Sequence, residues 1–192
     1  MKRIFFLITI FVFILDGCKT KSPVAQTAPE RITAESSVSA ASDQAPVNFS
    51  EQTTWLLGYF TYGQMTRQPH SVWYMKGYDE YQFNNEPLEK LLILPKEELT
   101  IKVVMGSWCP DSRREVPRFM RILDKWQFPR TKVTFIGVDN AKLSPVGEYS
   151  GLNIERVPTF IFYKNNIEAG RIIENPKTSL EQDMVNILTR NE

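Results

Sequence analysis

The chain has 192 residues, of which 42% are hydrophobic and 12% aromatic, a composition typical of a globular protein with one core and additional segments. Its 23 basic and 22 acidic residues give a formal net charge of +1, which argues against nucleic acid as a partner. The cysteines Cys18 and Cys109 and the single histidine His70 are too few and too scattered for a structural zinc site. We therefore expect neither a metal nor a cofactor.

The first residues have the organisation of a secretory signal. Two basic residues precede a 12-residue apolar run, Ile4–Leu15, which is shorter than the roughly 20 residues of a typical transmembrane helix. The following Leu-Asp-Gly-Cys, residues 15–18, resembles the bacterial lipoprotein signal, although Asp16 departs from its usual small or apolar residue. This resemblance implies a signal peptide over 1–17, a lipid on Cys18 and a location at the bacterial cell envelope, facing the periplasm or the exterior. The alternative is a simple signal or an uncleaved anchor with an incidental cysteine.

Residues 18–50 predict a disordered tether. After Cys18 they are rich in Ala, Ser, Thr and Pro, contain Phe49 as the only aromatic residue and show no apolar period. A flexible coil of about 30 residues has a root-mean-square span of about 30 Å, enough to hold a domain away from a membrane surface. We expect the folded part to begin near Glu51.

Residues 51–97 are predicted to form a mostly helical extension. Ser71 and Asn85 are candidate caps for its second and third helices. We interpret the aromatic residues as packing against the domain rather than as a ligand site, and His70 as a loop residue. The apolar residues fall into three groups at helical spacing: Trp55, Leu56, Tyr59 and Phe60; Val72, Trp73, Met75, Tyr78 and Tyr81; and Leu88, Leu91 and Leu92.

Residues 98–192 read as an α/β core. Two apolar strands flank a helix that begins near Pro110, and two buried strands joined through a helix favour a parallel pair. A hairpin and a final helix, capped by Thr178 or Ser179, follow. The predicted strands are Leu99–Met105, Val133–Asp139, Val157–Tyr163 and Ala169–Ile173.

The turn between the first of these strands and its helix carries Trp108 and Cys109. Unpaired N–H groups and the positive end of the helix dipole favour thiolate over thiol at such a position. Arg113 and Arg114 should favour the thiolate further, whereas nearby carboxylates oppose it. The sequence therefore predicts a reactive thiol at Cys109.

These residues resemble the redox motif of the thioredoxin superfamily, Trp-Cys-x-x-Cys, at the same strand-to-helix turn. Pro117 within the helix and Val157-Pro158-Thr159 before the hairpin strengthen the resemblance, which covers about residues 98–189. It implies a thioredoxin-like fold, a central mixed sheet flanked by helices, with the extension added. It also implies a cis Pro158 opposite Cys109, and a Val157 backbone that pairs with an extended substrate segment by strand addition.

Two branches of the superfamily are similar around the motif Trp108-Cys109-Pro110-Asp111-Ser112. TlpA/ResA-like reductases share the arginine, glutamate and proline that follow the motif, and another bacterial thioredoxin-like family has Trp-Cys-x-Asp. The first comparison implies that Glu115 transfers protons, and its alternative is a solvated helix residue. Asp111 is either a motif residue or an acidic residue that stabilises the first helical turn.

Ser112 stands where the family has its second cysteine. Release of a mixed disulfide requires a second thiol, and a lipidated Cys18 would leave Cys109 as the only free thiol. We therefore expect thiol–disulfide exchange resolved by an external thiol, with small thiols or cysteine-containing envelope proteins as partners. The alternatives are a redox-inactive binding module and a one-cysteine peroxidase, the latter disfavoured because Gly106 replaces that family's Thr or Ser.

Overall fold

The computed structural model describes residues 54–190; the predicted signal peptide, Cys18 and the tether lie outside the described residues. In chain order the strands and helices are β1 (Gly58–Phe60), α1 (Tyr62–Met65), α2 (Ser71–Glu80), α3 (Asn85–Leu92), β2 (Leu99–Met105), α4 (Pro110–Lys125), β3 (Val133–Gly137), β4 (Thr159–Lys164), β5 (Ile167–Ile173) and α5 (Leu180–Leu188). Short 3₁₀ turns lie at Arg130–Lys132 and Tyr149–Leu152.

The five strands form one mixed sheet in the order β1-β3-β2-β4-β5. β2 pairs parallel with β3 and antiparallel with β4, while β1 and β5 form antiparallel edges. Asn165 and Asn166 both adopt positive φ in the two-residue turn between β4 and β5, the conformation that a tight hairpin needs. The predicted fold class, a mixed sheet flanked by helices with a helical N-terminal extension, is confirmed.

Alternation along the strands divides the core between the two faces of the sheet. Ile101, Val103 and Met105 of β2 face a large cluster with the helices, which includes Phe119 and Trp126. On the other face, Val104 packs with Ile136, Ile161, Val138, Leu152, Val157 and Cys109. The cysteine of the motif therefore belongs to the smaller apolar cluster.

The interpretation of Trp55, Leu56, Tyr59 and Phe60 as a helical group is wrong. Gly58–Phe60 is strand β1, whose partners Phe135 to Gly137 lie more than 70 residues further along the chain. Alternation of buried and exposed residues in β1 fits a period of two, but three residues are too few to distinguish this pattern from a helix by sequence.

The second apolar group of the extension is helical, but its packing differs from the interpretation. Tyr74 is fully buried in α2, whereas Val72 and Met75 are exposed. Trp73, Tyr78 and Tyr81 pack against the main core while remaining partly accessible. In the part of the chain that the structure describes, no helix has the length and hydropathy required to cross a membrane.

We predict that Gly137→Ala destabilises the fold. A Cβ at residue 137 would lie 1.9 Å from the carbonyl oxygen of Leu56, so the segment before β1 would have to move. Overpacking of this kind costs about 1–3 kcal/mol in the free energy of unfolding, measurable by urea denaturation. Gly147→Ala is the matched control because no atom beyond its two chain neighbours lies within 4 Å of its added Cβ. Equal effects of the two substitutions would contradict the close packing at Gly137.

Candidate functional site

Cys109 lies at the N-cap of α4, immediately after the turn that ends β2. Its N–H donates to the carbonyl of Gly106 at 2.9 Å, and its own carbonyl accepts the N–H of Arg113 at 3.0 Å. Pro110 occupies the first helical position, where the absence of an N–H removes no helical hydrogen bond. The turn and the helix start therefore fix the backbone of the cysteine from both sides.

The thiol of Cys109 faces the loop before β4. Its Sγ donates to the carbonyl oxygen of Val157 at 3.4 Å, and the residue is only 7% exposed. The Val157–Pro158 peptide bond is cis. A substrate segment that paired with the Val157 backbone would therefore lie directly beside the thiol. Substrate pairing through Val157 stays a prediction.

Backbone and side-chain hydrogen bonds hold the Val157–Pro158 loop. The carbonyl of Pro158 accepts the N–H of Glu174 at 2.6 Å, and the hydroxyl of Thr159 donates to the carbonyl of Arg156 at 2.7 Å. Since Glu174 directly follows β5, the loop is fixed to the hairpin. The position of the Val157 carbonyl beside the thiol is therefore set by the sheet.

Ser112 is fully buried below the turn. Its hydroxyl oxygen accepts the N–H of Gly106 at 3.3 Å, so the side chain stabilises the strand-to-helix connection. The position that holds a second thiol in the family motif therefore has a structural hydrogen bond here. With Cys18 outside the described residues, Cys109 is the only cysteine of residues 54–190.

The charges around the motif are paired in a specific pattern. Arg114 contacts Asp111 and Glu115, both at 2.6 Å, and Arg118 contacts Glu115 at 3.1 Å. The side chain of Glu115 is 3% exposed, so its interpretation as a solvated helix residue is wrong. Its Oε1 accepts from both arginines, whereas Oε2 is buried without a hydrogen-bond partner among the described residues. A role for Glu115 in proton transfer stays a prediction.

Arg113 takes a different role from Arg114. Its Nε donates to the carbonyl of Ser107 at 2.6 Å, which ties the first turn of α4 back to the turn before it. Asp111 is paired with Arg114 in that first turn, consistent with the interpretation as a residue that stabilises the helix start.

Contacts with the segment before β1 were not predicted from the sequence. The hydroxyl of Ser107 accepts the N–H of Leu56 at 3.0 Å, and the rings of Trp55 and Trp108 lie 6.3 Å apart. Trp108 also donates through Nε1 to the carbonyl of Val138 at 3.0 Å. These partners are 30 or more residues apart in sequence, and no local pattern indicates such contacts.

His70 lies in the turn directly before α2, as predicted for a loop residue, and it is buried at the N-cap of that helix. Burial lowers the pKa of its imidazole, and the positive charge of Arg113 lowers that pKa further. A backbone hydrogen bond with Thr54 acts in the opposite direction. His70 therefore connects the beginning of the described chain to the start of α2.

The sequence pattern of the thioredoxin family matches residues 61–187, about two thirds of the chain. The chain belongs to the thioredoxin family. The match begins 37 residues before the start of the resemblance predicted from the motif, at residue 98, so most of the helical extension is part of the family pattern. Membership of the thioredoxin family indicates, in general terms, a thiol–disulfide redox function.

Individual thioredoxins are distant relatives. An H-type thioredoxin of Oryza sativa subsp. indica is 29% identical over 104 residues, which cover 53% of this chain and 80% of that protein. The structure of Fasciola hepatica thioredoxin is similar at 24% identity and a TM-score of 0.35, covering 55% of this chain and 91% of the other. A Pseudomonas aeruginosa protein of unknown function has 11% identity and a TM-score of 0.46, with 67% and 95% coverage.

We predict a pH-dependent contribution of His70 to stability. Because the pKa of His70 is lower in the folded state, the unfolded chain takes up this proton first, and stability falls as the pH drops below about 6.5. The protein has one histidine, so His70→Gln removes this term completely. Urea denaturation at pH 7.5 and 5.5 should show a larger loss for the wild type than for the variant. Parallel losses would contradict the assignment.

Proposed function

We propose that this protein is a membrane-tethered thiol–disulfide exchange protein of the cell envelope that acts through one nucleophilic cysteine, Cys109. An external thiol resolves its mixed disulfide. The observation that supports this most directly is the thiol of Cys109, which lies 3.4 Å from the Val157 carbonyl at a cis-proline loop. A client disulfide that binds here would contact both the sulfur of Cys109 and the main-chain carbonyl of Val157.

The proposed reaction has two exchange steps. The Cys109 thiol first loses its proton to solvent, and the thiolate attacks a disulfide sulfur of the client. A Cys109–client disulfide forms, while the other client sulfur leaves as a thiolate and takes a proton from solvent. An external thiolate then attacks the client sulfur and expels the Cys109 thiolate. No net oxidation occurs, because each step exchanges one thiolate for another.

Ionisation of Cys109 also changes the loop opposite. A thiolate cannot donate, so the hydrogen bond to Val157 is lost when the proton leaves. The Val157 carbonyl, which has two lone pairs, can accept a main-chain hydrogen bond from an extended client segment, and such pairing gives affinity with little demand on sequence.

The tethered location rests on the sequence of the first 18 residues. A basic start, a 12-residue apolar run and Leu-Asp-Gly-Cys support lipid attachment at Cys18. The lipid would also remove the second cysteine of the chain from disulfide chemistry. The monothiol mechanism therefore depends on this attachment as well as on Ser112.

A second candidate function is a redox-inactive binding module for an envelope partner. It is favoured by the low exposure of both groups of the site, 7% for Cys109 and 4% for Val157. In this case the sulfur serves as a buried packing residue that satisfies a carbonyl, and the partner binds without bond exchange.

Reaction with a neutral disulfide separates the two functions. We expect the Cys18→Ser protein to form one adduct with 2-hydroxyethyl disulfide at Cys109 in its native state, detected by mass spectrometry. An added small thiol should then remove the adduct. The Cys18→Ser/Cys109→Ser double variant is the control and should form none. If Cys109 reacts only after unfolding in urea, exchange is refuted and the binding module remains.

Ser112→Cys should convert the mixed-disulfide product into an internal disulfide. Residues 109 and 112 are one helical turn apart, about the 5–6 Å separation that a disulfide bridges. The variant should release its client without an external thiol, whereas wild type holds it. Ser112→Ala is the matched control, since it loses the same Gly106 hydrogen bond but adds no thiol. A stable client adduct on Ser112→Cys would contradict the proposed resolving step.

A further inference from the structure

A groove of about 510 Å³ lies between α2 and α4, beside the motif. We call it the α2–α4 groove. Close packing of α2 on α4 forms its floor, where a Cβ on Gly77 would lie 2.7 Å from Pro117 and 3.6 Å from the Arg113 carbonyl. Its walls include two partly buried aromatic rings and four cationic side chains: Trp73, Tyr81, Lys76, Arg113, Arg114 and Arg118.

Only two of the four cationic side chains of the groove form ion pairs with carboxylates of the described residues. Arg114 and Arg118 share the buried carboxylate of Glu115, and Arg118 lies 5.7 Å from the ring of Tyr81. By contrast, neither Lys76 nor Arg113 forms an ion pair within residues 54–190. One carboxylate, that of Glu80, also lines the groove. Counting Glu80, Glu115 and Asp111 against the four cations leaves an excess of one positive charge.

Backbone contacts connect the groove to the reactive sulfur. Arg113 in the groove wall bonds through its N–H to the carbonyl of Cys109 and through Nε to Ser107. On the other side, Arg114 donates to the side chain of Asn175, next to Glu174, whose N–H holds the Pro158 carbonyl. The groove therefore lies next to the start of α4, which carries the thiol, and next to the segment after β5, which holds the cis-proline loop.

We infer that the α2–α4 groove binds an acidic segment of the client polypeptide, within a few residues of the cysteine that reacts with Cys109. This inference rests on the proposed exchange function and specifies its substrate class. Carboxylates of the client pair with Lys76 and with the guanidinium of Arg113, while its apolar groups contact Trp73 and Tyr81. The mixed arrangement of charge and aromatic surface suits a peptide better than a single small anion.

The groove adds selectivity that main-chain pairing at Val157 does not provide. Strand addition accepts many sequences, whereas exposed cations favour acidic partners mainly by increasing the association rate. Such a contribution falls with ionic strength, because exposed charges are screened over about 10 Å at 0.1 M salt. Clients with acidic residues beside the reactive cysteine should therefore react fastest at low salt.

Three matched peptides test the inference. Each carries the same mixed disulfide, flanked by Glu, Gln or Lys, and the measured quantity is the second-order rate of reaction with Cys109. At low ionic strength we expect the Glu peptide to react about tenfold faster than the Gln peptide, and the Lys peptide to react more slowly. Lys76→Gln should reduce the preference for the Glu peptide over the Gln peptide, and Lys76→Glu should abolish it.

Lys125→Glu is the matched control variant. Residue 125 is exposed at the opposite end of α4 and carries the same charge, so its reversal should leave the preference intact. Equal rates for the three peptides, or an equal effect of Lys125→Glu and Lys76→Glu, would overturn the inference.

A binding measurement separates this inference from the exchange function itself. Fluorescently labelled peptides with Ser in place of Cys cannot form a disulfide, so their anisotropy reports binding without bond exchange, and its dependence on Lys76 reports the groove. We expect the Glu peptide to bind wild type and to lose affinity with Lys76→Glu, even if Cys109 proves unreactive. Absence of Lys76-dependent binding would overturn the groove assignment and leave the exchange function standing. Binding of vesicles containing an anionic phospholipid through Lys76, without peptide binding, would also overturn it.

Discussion

The pairing of β2 with strands on both sides is the constraint on which the site depends. β2 runs parallel to β3 and antiparallel to β4. The C-terminal end of β2 therefore lies beside the N-terminal end of β4. Val104 pairs with Thr159, which places the turn that leads to Cys109 beside the Val157–Pro158 loop. A change of register along this pair would move the thiol away from its acceptor. The position of Cys109 beside the Val157–Pro158 loop is therefore fixed by backbone hydrogen bonds in the centre of the sheet, and not only by the contact between the two residues.

Elements with strong local patterns could be predicted from the sequence. β2 coincides with the apolar run at 99–105, and α4 begins at Pro110 because proline suits the first helical position. Features created by distant pairing could not be predicted. β1 has three residues and depends on β3, and the contact of Leu56 with Ser107 joins positions 51 residues apart. The burial of Glu115 was also unpredictable, since its position in the sequence is compatible with either face of α4.

The replacement of a second thiol by Ser112 changes more than the number of sulfur atoms. The hydroxyl satisfies a buried N–H at the turn, so the serine is integrated into the architecture that presents Cys109. A buried, unsatisfied N–H would cost about 1–3 kcal/mol. Within residues 54–190 the site thus combines a hydrogen-bonded turn with one thiol, and under the proposed mechanism its turnover requires an external thiol.

The segment before β1 affects where the domain can be shortened at its N-terminal end. The family pattern begins at residue 61, yet Leu56 bonds to the motif turn and β1 covers the outer edge of β3. A protein trimmed to the family limits would lose an edge strand and the partner of the Ser107 hydroxyl. It would leave the backbone of β3 open to association with other strands. The structural unit therefore extends at least to Trp55, because contacts with the turn that carries Trp108 and Cys109 reach beyond the limit of the family pattern.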